Sequence, residues 1–366
     1  VQRYNAGLLE EIKVEKISEN EFLTIKDELV TPFKLTNTKL YRCRVFETEK
    51  AGYVFFDVHH SLFDGTSFKV FKDNIIKAYK DIPLEPDYYY YIIDEREKEK
   101  NSEFYNEAKD YFENTYSNTT WSVRPDIDHE SRENQFGELT TSMEITEKSM
   151  KELERRHKIS RNEFFITAAL LSIAFYNKKD NVKISWIYNG RNDVNSMGSI
   201  GLLFRDLPAA LKLNNNRSLR DLYVDVHNQV SEAIKYSCYP YVDIESEVIS
   251  NDVAYLLYQQ DIRDAGNFGD IQIETIDIRQ NQAASQSVLD IEILDGEEGM
   301  KAMIDYASSR YKDETMDGFK NMFLTVCQEL VKYTSQHDIT VEELRSKVTS
   351  DDNLLRKFAS LFRKKA

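Results

Sequence analysis

The chain has 366 residues, 41% of them hydrophobic and 12% aromatic, with a formal net charge of −15. At roughly 150 residues per domain, this length predicts two or three domains with real cores. The acidic balance argues against a nucleic-acid binder, which needs a basic footprint. No apolar run reaches the ~18 residues of a membrane helix, and no basic segment followed by an apolar core marks a signal peptide. The chain opens at Val1-Gln2-Arg3-Tyr4 without a Met and reads as a piece of a longer one. Cys43, Cys238 and Cys327 are far apart and odd in number, so they suggest neither a disulfide framework nor a metal site. Cys43 and Cys327 lie in apolar patterns as buried thiols, and a reducing, cytoplasmic setting is expected.

In chain order, Leu8 to Ile17 alternates loosely as a strand, and Glu19 to Val30 has a helical rhythm that Thr31-Pro32-Phe33-Lys34-Leu35 breaks. Leu40 to Phe46 and Gly52 to Val58 are β-patterned runs joined by the short polar piece Glu47 to Ala51, which predicts a hairpin. His59 and His60 follow at the end of its second strand. If strand geometry persists, alternation puts His60 on the face of Val58 and His59 on the face of Asp57, giving the two rings different surroundings. Gly65 permits a turn. Thr66 or Ser67 is expected to cap a helix whose apolar positions Phe68, Phe71, Ile75 and Tyr79 recur at helical spacing and which Pro83 and Pro86 end. A tyrosine cluster, Tyr88 to Tyr91, leads into a charged helix over Glu95 to Tyr116 whose charges read as a solvated face. Asn118 to Gly137 is polar and aperiodic, the best linker in the chain.

A second unit starts near Gly137. Glu138 to Ile145 predicts a strand, Thr146 to His157 a helix, and Ser160-Arg161-Asn162-Glu163 a capping box opening an apolar helix over Phe164 to Tyr176. Val182 to Tyr188 is a strand that ends in Asn189-Gly190-Arg191-Asn192, and Met197-Gly198-Ser199-Ile200-Gly201 is a flexible loop feeding Leu202 to Leu213. Leu219 to Tyr236 is a helix. Val253 to Tyr258, Ser287 to Leu294 and Met300 to Tyr306 are strands, and Lys312 to Tyr333 is a long amphipathic helix. A basic amphipathic helix closes the chain over Asn353 to Ala366. The expected division is 1–136, 137–346 and a tail helix within 347–366.

The stretch His59 to Gly65 carries the chemistry. An imidazole titrates near neutral pH and can give or take a proton, and a strand end mounts it rigidly. Asp64 can orient a ring or pair with a distant cation. The Gly65 amide lies at a helix start, where unpaired N–H groups favour developing negative charge. A base, an orienter and an oxyanion donor are the parts of an acyl-transfer site without an enzyme nucleophile. Set against this is the ordinary role of a histidine as a satisfied structural residue. Metal binding is not expected, because adjacent histidines on opposite faces cannot easily share an ion and no other His or Cys stands at ligand spacing.

His59-His60-Ser61-Leu62-Phe63-Asp64-Gly65 resembles the HHxxxDG signature of the condensation domains of nonribosomal peptide synthetases, in the chloramphenicol-acetyltransferase-like superfamily. Further matches follow in the family's order: Pro32-Phe33-Lys34-Leu35, Leu40-Tyr41-Arg42-Cys43-Arg44, Asn189-Gly190-Arg191-Asn192, Ile200 to Pro208, and Tyr306 to Phe323. The resemblance runs from about residue 1 to about residue 345. It implies an α/β fold with mixed sheets, two acyltransferase-like lobes in a V-shaped pseudo-dimer, and an active site where they meet. It also implies donor and acceptor peptidyl carrier proteins as partners, beside neighbouring synthetase domains and with no nucleic acid or membrane. Their 4'-phosphopantetheine arms would bring an acyl thioester and an amine, and the domain itself would bind no cofactor. By the resemblance His60 is the general base or transition-state positioner and Gly65 the oxyanion donor. His59 and Asp64 are structural, and Asp64 pairs with Arg191 of the second lobe. Ser61, Asn189, Gly201, Arg205, Tyr258, Gln259, Gln260 and Ser287 are substrate-channel candidates.

The chain departs from the family at three places. The family's opening strand–helix–strand unit has no counterpart after Val1 and is expected upstream or on another chain. Arg205-Asp206 stands where the family has Asn-Thr, and Gln259-Gln260 where it often has Gln-Asn. The alternatives are a free-standing acyltransferase using a soluble amine or alcohol, an epimerisation domain, and a non-catalytic recruitment domain. Epimerisation domains usually lack Gly after the Asp, so Gly65 speaks against that reading. Loss of His60 or Gly65 would signal recruitment, and both are present. The basic ending Arg363-Lys364-Lys365-Ala366 suits a chain terminus or docking helix better than a linker.

Overall fold

The computed structural model describes residues 11–117, 119–131, 133, 135–244, 252–260, 267–268, 271–272, 276, 288–296, 299–333 and 338–349. Two units emerge from its contacts. One takes Val1–Tyr90, Arg191–Leu203 and Ala265–Ala283, the other Tyr91–Gly190, Phe204–Asp264 and Ala284–Ala366. This grouping differs from a single cut at 136/137. The segment from Arg191 to Leu203 is tied by hydrogen bonds to Asp64 and Ser67 of the first unit. The expected linker is tied to the second: Ser122 N–H donates to Asn181 O, Lys183 N–H to Ser122 O, and Ala254 N–H to Val123 O. These are backbone bonds, which leave no apolar periodicity to read.

In the first unit, β1 (Val14–Lys16) pairs in parallel with β2 (Tyr41–Glu47), which pairs antiparallel with β3 (Gly52–Val58). The predicted hairpin is there, with Thr48 N–H donating to Ala51 O across its turn. The strand read over Leu8 to Ile17 shrinks to three residues, and residues 1–10 lie outside the described ones. Opposite residues of an antiparallel pair share a face. Phe46 and Tyr53 are opposite, as are Arg44 and Phe55, and this face meets helix α1 (Glu19–Ile25). There Phe22, Phe46 and Phe55 are buried, and Phe22 stacks on Tyr53 with centroids 3.8 Å apart. On the other face Phe56 stacks at 4.2 Å on Phe71 of helix α2 (Gly65–Tyr79).

The charged helix expected over Glu95 to Tyr116 is two helices, α3 (Tyr89–Glu99) and α4 (Glu103–Tyr116). Ser102 separates them by capping α4, its side chain accepting from Tyr105 N–H. Three of the four clustered tyrosines, Tyr89 to Tyr91, form the first turn of α3, because the Asp87 carboxylate accepts from Tyr89 N–H and starts the helix early.

The second unit is built on a six-stranded mixed sheet of order β4-β11-β10-β7-β5-β6. Its strands are β4 (Phe136–Ser142), β5 (Asn181–Tyr188), β6 (Arg205–Lys212), β7 (Ala254–Gln260), β10 (Leu289–Gly296) and β11 (Gly299–Ala307). Between β7 and β10 in sequence, β8 (Asn267–Phe268) and β9 (Ile271–Gln272) pair as a short hairpin of the first unit. The β10–β7 and β7–β5 pairs are parallel and the rest antiparallel. Helices α5 (Glu147–His157) and α6 (Arg161–Asn177) both start on capping boxes, at Thr146 and Ser160. Helix α7 (Val194–Met197) belongs to the first unit. Helix α6 is apolar nearly all round, and thirteen of its seventeen residues are buried. It packs on β5 and β7, on α8 (Leu219–Lys235) and on α9 (Asp313–Tyr333). Helix α10 (Val341–Thr349) packs on α9, and the predicted tail helix lies outside the described residues. Among the described residues no helix is long and apolar enough to cross a membrane.

Candidate active site

Strand β3 ends at Val58. His59 still donates its N–H to Leu40 O, at 2.8 Å, but at His60 the chain enters a single 3₁₀ turn, His60–Leu62. The expected alternation therefore stops at His59, and the turn sets the direction of His60. The His59 ring caps this turn. Its Nδ1 accepts from Ser61 N–H at 3.1 Å and lies 2.9 Å from Ser61 Oγ. The Phe33 and His59 rings meet edge to face at 5.9 Å, and the Arg42 guanidinium lies over the Phe33 ring at 3.9 Å. Arg42 also holds Asp57 at 2.6 Å. Burial pushes the Asp57 carboxyl upward, with Arg42 working in the opposite sense. His59 is thus packed and bonded within its own loop, whereas His60 is exposed.

Asp64, rather than Thr66 or Ser67, is the N-cap of α2. Its backbone is extended, and its Oδ1 accepts from Ser67 N–H at 2.8 Å. Asp is a preferred cap, and the spacing Asp64-x-x-Ser67 carries that signal. Capping leaves Gly65 as the first helical residue. Its N–H is one the helical ladder does not use, and Gly65 is exposed.

The cap is also an ion pair. Arg191 Nη2 lies 2.8 Å from Asp64 Oδ1 and 3.0 Å from Oδ2, and both side chains are buried, at 0% and 5% exposure. The guanidinium further donates to Ser67 Oγ, to the Gly201 and Ser199 carbonyls and to Ser196 O. Ser67 Oγ receives Gly201 N–H at 2.9 Å, and its single proton serves Asp64 Oδ1 or the Gly201 carbonyl. Leu203 N–H donates to Asp64 Oδ2 at 3.0 Å. Burial raises the Asp64 carboxyl, but the N–H groups of Leu203 and Ser67, the Ser67 hydroxyl and Arg191 outweigh it and hold the group below the usual range. Breaking such a pair costs about 3–5 kcal/mol, because one charge stays buried without its partner. The pair lies inside one unit, since Arg191 groups with Asp64.

Of the sequence-derived candidates, the first unit collects His59, His60, Ser61, Asp64, Gly65, Arg191 and Gly201. The Ser61 hydroxyl is engaged with His59, and Gly201 is buried in the clamp. Asn189, Arg205, Tyr258, Gln259 and Gln260 belong to the second unit. Arg205 donates to Ser237 O, and burial lowers its affinity for its proton. Tyr258 donates to Asp295, which Arg161 also holds, and its phenol is raised by burial and by that carboxylate. Gln259 and Gln260 end β7 opposite Leu294 and Asp295. Ser287 lies outside the described residues. Ser199 and the Leu203 N–H, both part of the clamp, are not among the sequence-derived candidates. A backbone donor leaves no residue signature.

A family model described as condensation domain matches residues 2–351. Among curated relatives, bacitracin synthase 1 of Bacillus licheniformis is 18% identical over 88% of this chain and 6% of its own length. Tyrocidine synthase 3 of Brevibacillus parabrevis is 19% identical over 87% of this chain and 5% of its length. The chain thus spans less than a tenth of either synthase. Among solved structures, the condensation domain from monacolin K polyketide synthase superposes with a TM-score of 0.72 at 15% identity, covering 90% of this chain and 81% of that one. The epimerization domain from the third module of tyrocidine synthetase B gives 0.71 at 16%, covering 90% and 82%. The X-domain in its complex from teicoplanin biosynthesis gives 0.70 at 15%, covering 91% and 79%. The mixed α/β fold is the one these domains share.

Proposed function

The chain belongs to the condensation-domain family, and from that premise we propose that it is an acyltransferase forming an amide bond between a donor acyl thioester and an acceptor amine. Each substrate arrives on the 4'-phosphopantetheine arm of a carrier protein. The domain binds no cofactor of its own, and it works beside other synthetase domains in a cytoplasmic setting. The acceptor nitrogen attacks the thioester carbonyl carbon, and a C–N bond forms. The carbonyl oxygen becomes an oxyanion that the Gly65 N–H stabilises. An imidazole nitrogen of His60 takes the proton the amine must lose, or holds the charged nitrogen in place. The C–S bond then breaks, and the sulfur leaves with a proton as the free thiol.

The observation that carries this reading is a contrast within seven residues. His60 and the first residue of α2 are exposed, while the cap between them is buried and clamped. Such an arrangement presents a base and an N–H donor on a rigid mount. On the family resemblance, Asn189, Arg205, Tyr258, Gln259 and Gln260 contribute to substrate binding. The test supplies donor- and acceptor-loaded carrier proteins and follows products by mass spectrometry and chiral analysis. Amide product supports the proposal. An epimerised donor thioester without amide contradicts it and assigns the site to epimerisation.

A further inference from the structure

The tyrosine cluster at the start of α3 has no part in the chemistry above, yet it grips the clamp from outside. Three consecutive residues meet three consecutive residues. Asp87 Oδ2 accepts from Ile200 N–H at 2.8 Å, while its Oδ1 holds Tyr89 N–H at 2.8 Å. Tyr88 N–H donates to Ser199 Oγ at 3.1 Å. The Tyr89 ring lies against the Gly201 backbone so closely that a Cβ on Gly201 would sit 2.0 Å from Tyr89 Cδ2 and 2.6 Å from its Cγ. These are atoms near the root of the ring, so a side chain at Gly201 would displace the whole tyrosine.

The same short peptide is what the cap of α2 leans on. Gly201 N–H donates to Ser67 Oγ, the Ser199 and Gly201 carbonyls accept from Arg191, and Leu203 N–H reaches Asp64. The 199–203 segment therefore has two sides. One is bonded to the cap that sets the positions of Gly65 and, through the turn, of His60. The other is bonded to Asp87–Tyr89. All these residues belong to the first unit.

We propose that Asp87 and Tyr89 are positioning residues for the reaction, holding the 199–203 peptide in the place where it can complete the Asp64 cap. Asp87 acts through the Ile200 amide and Tyr89 through contact with Gly201, and neither touches substrate. Asp87 is exposed and Tyr89 only partly covered, so their role is to fix the register of this peptide rather than to fill a core. This rests on the acyltransfer reading for its kinetic consequence but not for its structural one.

The test uses Asp87→Ala, Asp87→Asn and Tyr89→Ala in the full chain, with two readouts. Backbone hydrogen exchange at Ile200, Gly201 and Leu203 is expected to quicken in Asp87→Ala and Tyr89→Ala. kcat for amide formation is expected to fall about tenfold, since small misplacements at a reacting centre carry such penalties, while KM for the loaded carriers stays unchanged. Asp87→Asn keeps one acceptor oxygen where two N–H groups need one each, so its kcat lies between wild type and Asp87→Ala. Wild-type exchange in Asp87→Ala and Tyr89→Ala overturns the proposal, and so does faster exchange with wild-type kcat. Failure of the acyltransfer reading looks different, because the wild-type protein then makes no amide while the exchange readout still reports on the grip.

Discussion

The two units keep their order by different means. The second is a mixed sheet with a large continuous apolar core, in which Phe164, Phe165, Leu170, Phe319 and Phe323 are wholly buried. The first has a small core of its own, in which Phe22, Phe46 and Phe55 are the buried residues among those described. Around the candidate site it relies instead on directed bonds: a carboxylate with four donors, a guanidinium spread over three carbonyls and two side chains, and a hydroxyl bonded to the peptide between them. Apolar packing tolerates small changes of shape and loses stability in proportion to the volume removed. A buried polar network has no such tolerance, because each missing partner leaves another group desolvated and unpaired. A site of the kind proposed, with a base and an amide donor held within a fraction of an ångström, is better served by such a network.

Substitution separates the two. Arg191→Ala leaves the Asp64 charge buried and is expected to cost about 3–5 kcal/mol, with loss of turnover, as read by denaturant unfolding and product formation on one sample. Leu170→Ala, at a wholly buried position of α6, is expected to cost about 2–5 kcal/mol but to leave turnover per folded molecule near wild type. Equal kinetic damage from both would erase the distinction. Acid sharpens it with a smaller effect. The Asp64 pKa is lowered in the folded protein, so the unfolded chain binds its proton first as pH falls. The stabilisation from this group is complete above the ordinary aspartate pKa of about 4 and is lost as pH drops through the lower folded value. Unfolding curves from pH 7 to 2 are expected to show this loss in the wild type and a shallower decline in Asp64→Asn. Identical slopes would mean the carboxylate is not held as described.

How much of this is legible in the sequence depends on distance along the chain. The β2–β3 hairpin, the capping box at Ser160 and the apolar α6 follow from local rules and stand where those rules place them. The Asp64–Arg191 pair spans 127 residues and is reached only through a resemblance. The grip of Asp87 on the Ile200 amide, 113 residues away, leaves no trace, because its acceptor is an ordinary exposed Asp and its donor is backbone. The alternation argument for His60 stops being valid one residue early, where a 3₁₀ turn replaces the strand. Residue types alone present Asp64 as orienter or clamp and not as a helix cap, although one carboxylate serves as both clamp and cap.

In the proposed reaction exposed His60 takes the amine proton or holds the charged nitrogen, on a mount bonded to the buried clamp. The most direct test compares wild type and His60→Ala for single-turnover amide formation between loaded carrier proteins, with unfolding midpoints measured alongside. The account predicts a rate lower by about 10²–10⁴-fold, the usual worth of a positioned acid or base, at an unchanged midpoint. An unchanged rate in His60→Ala would contradict it.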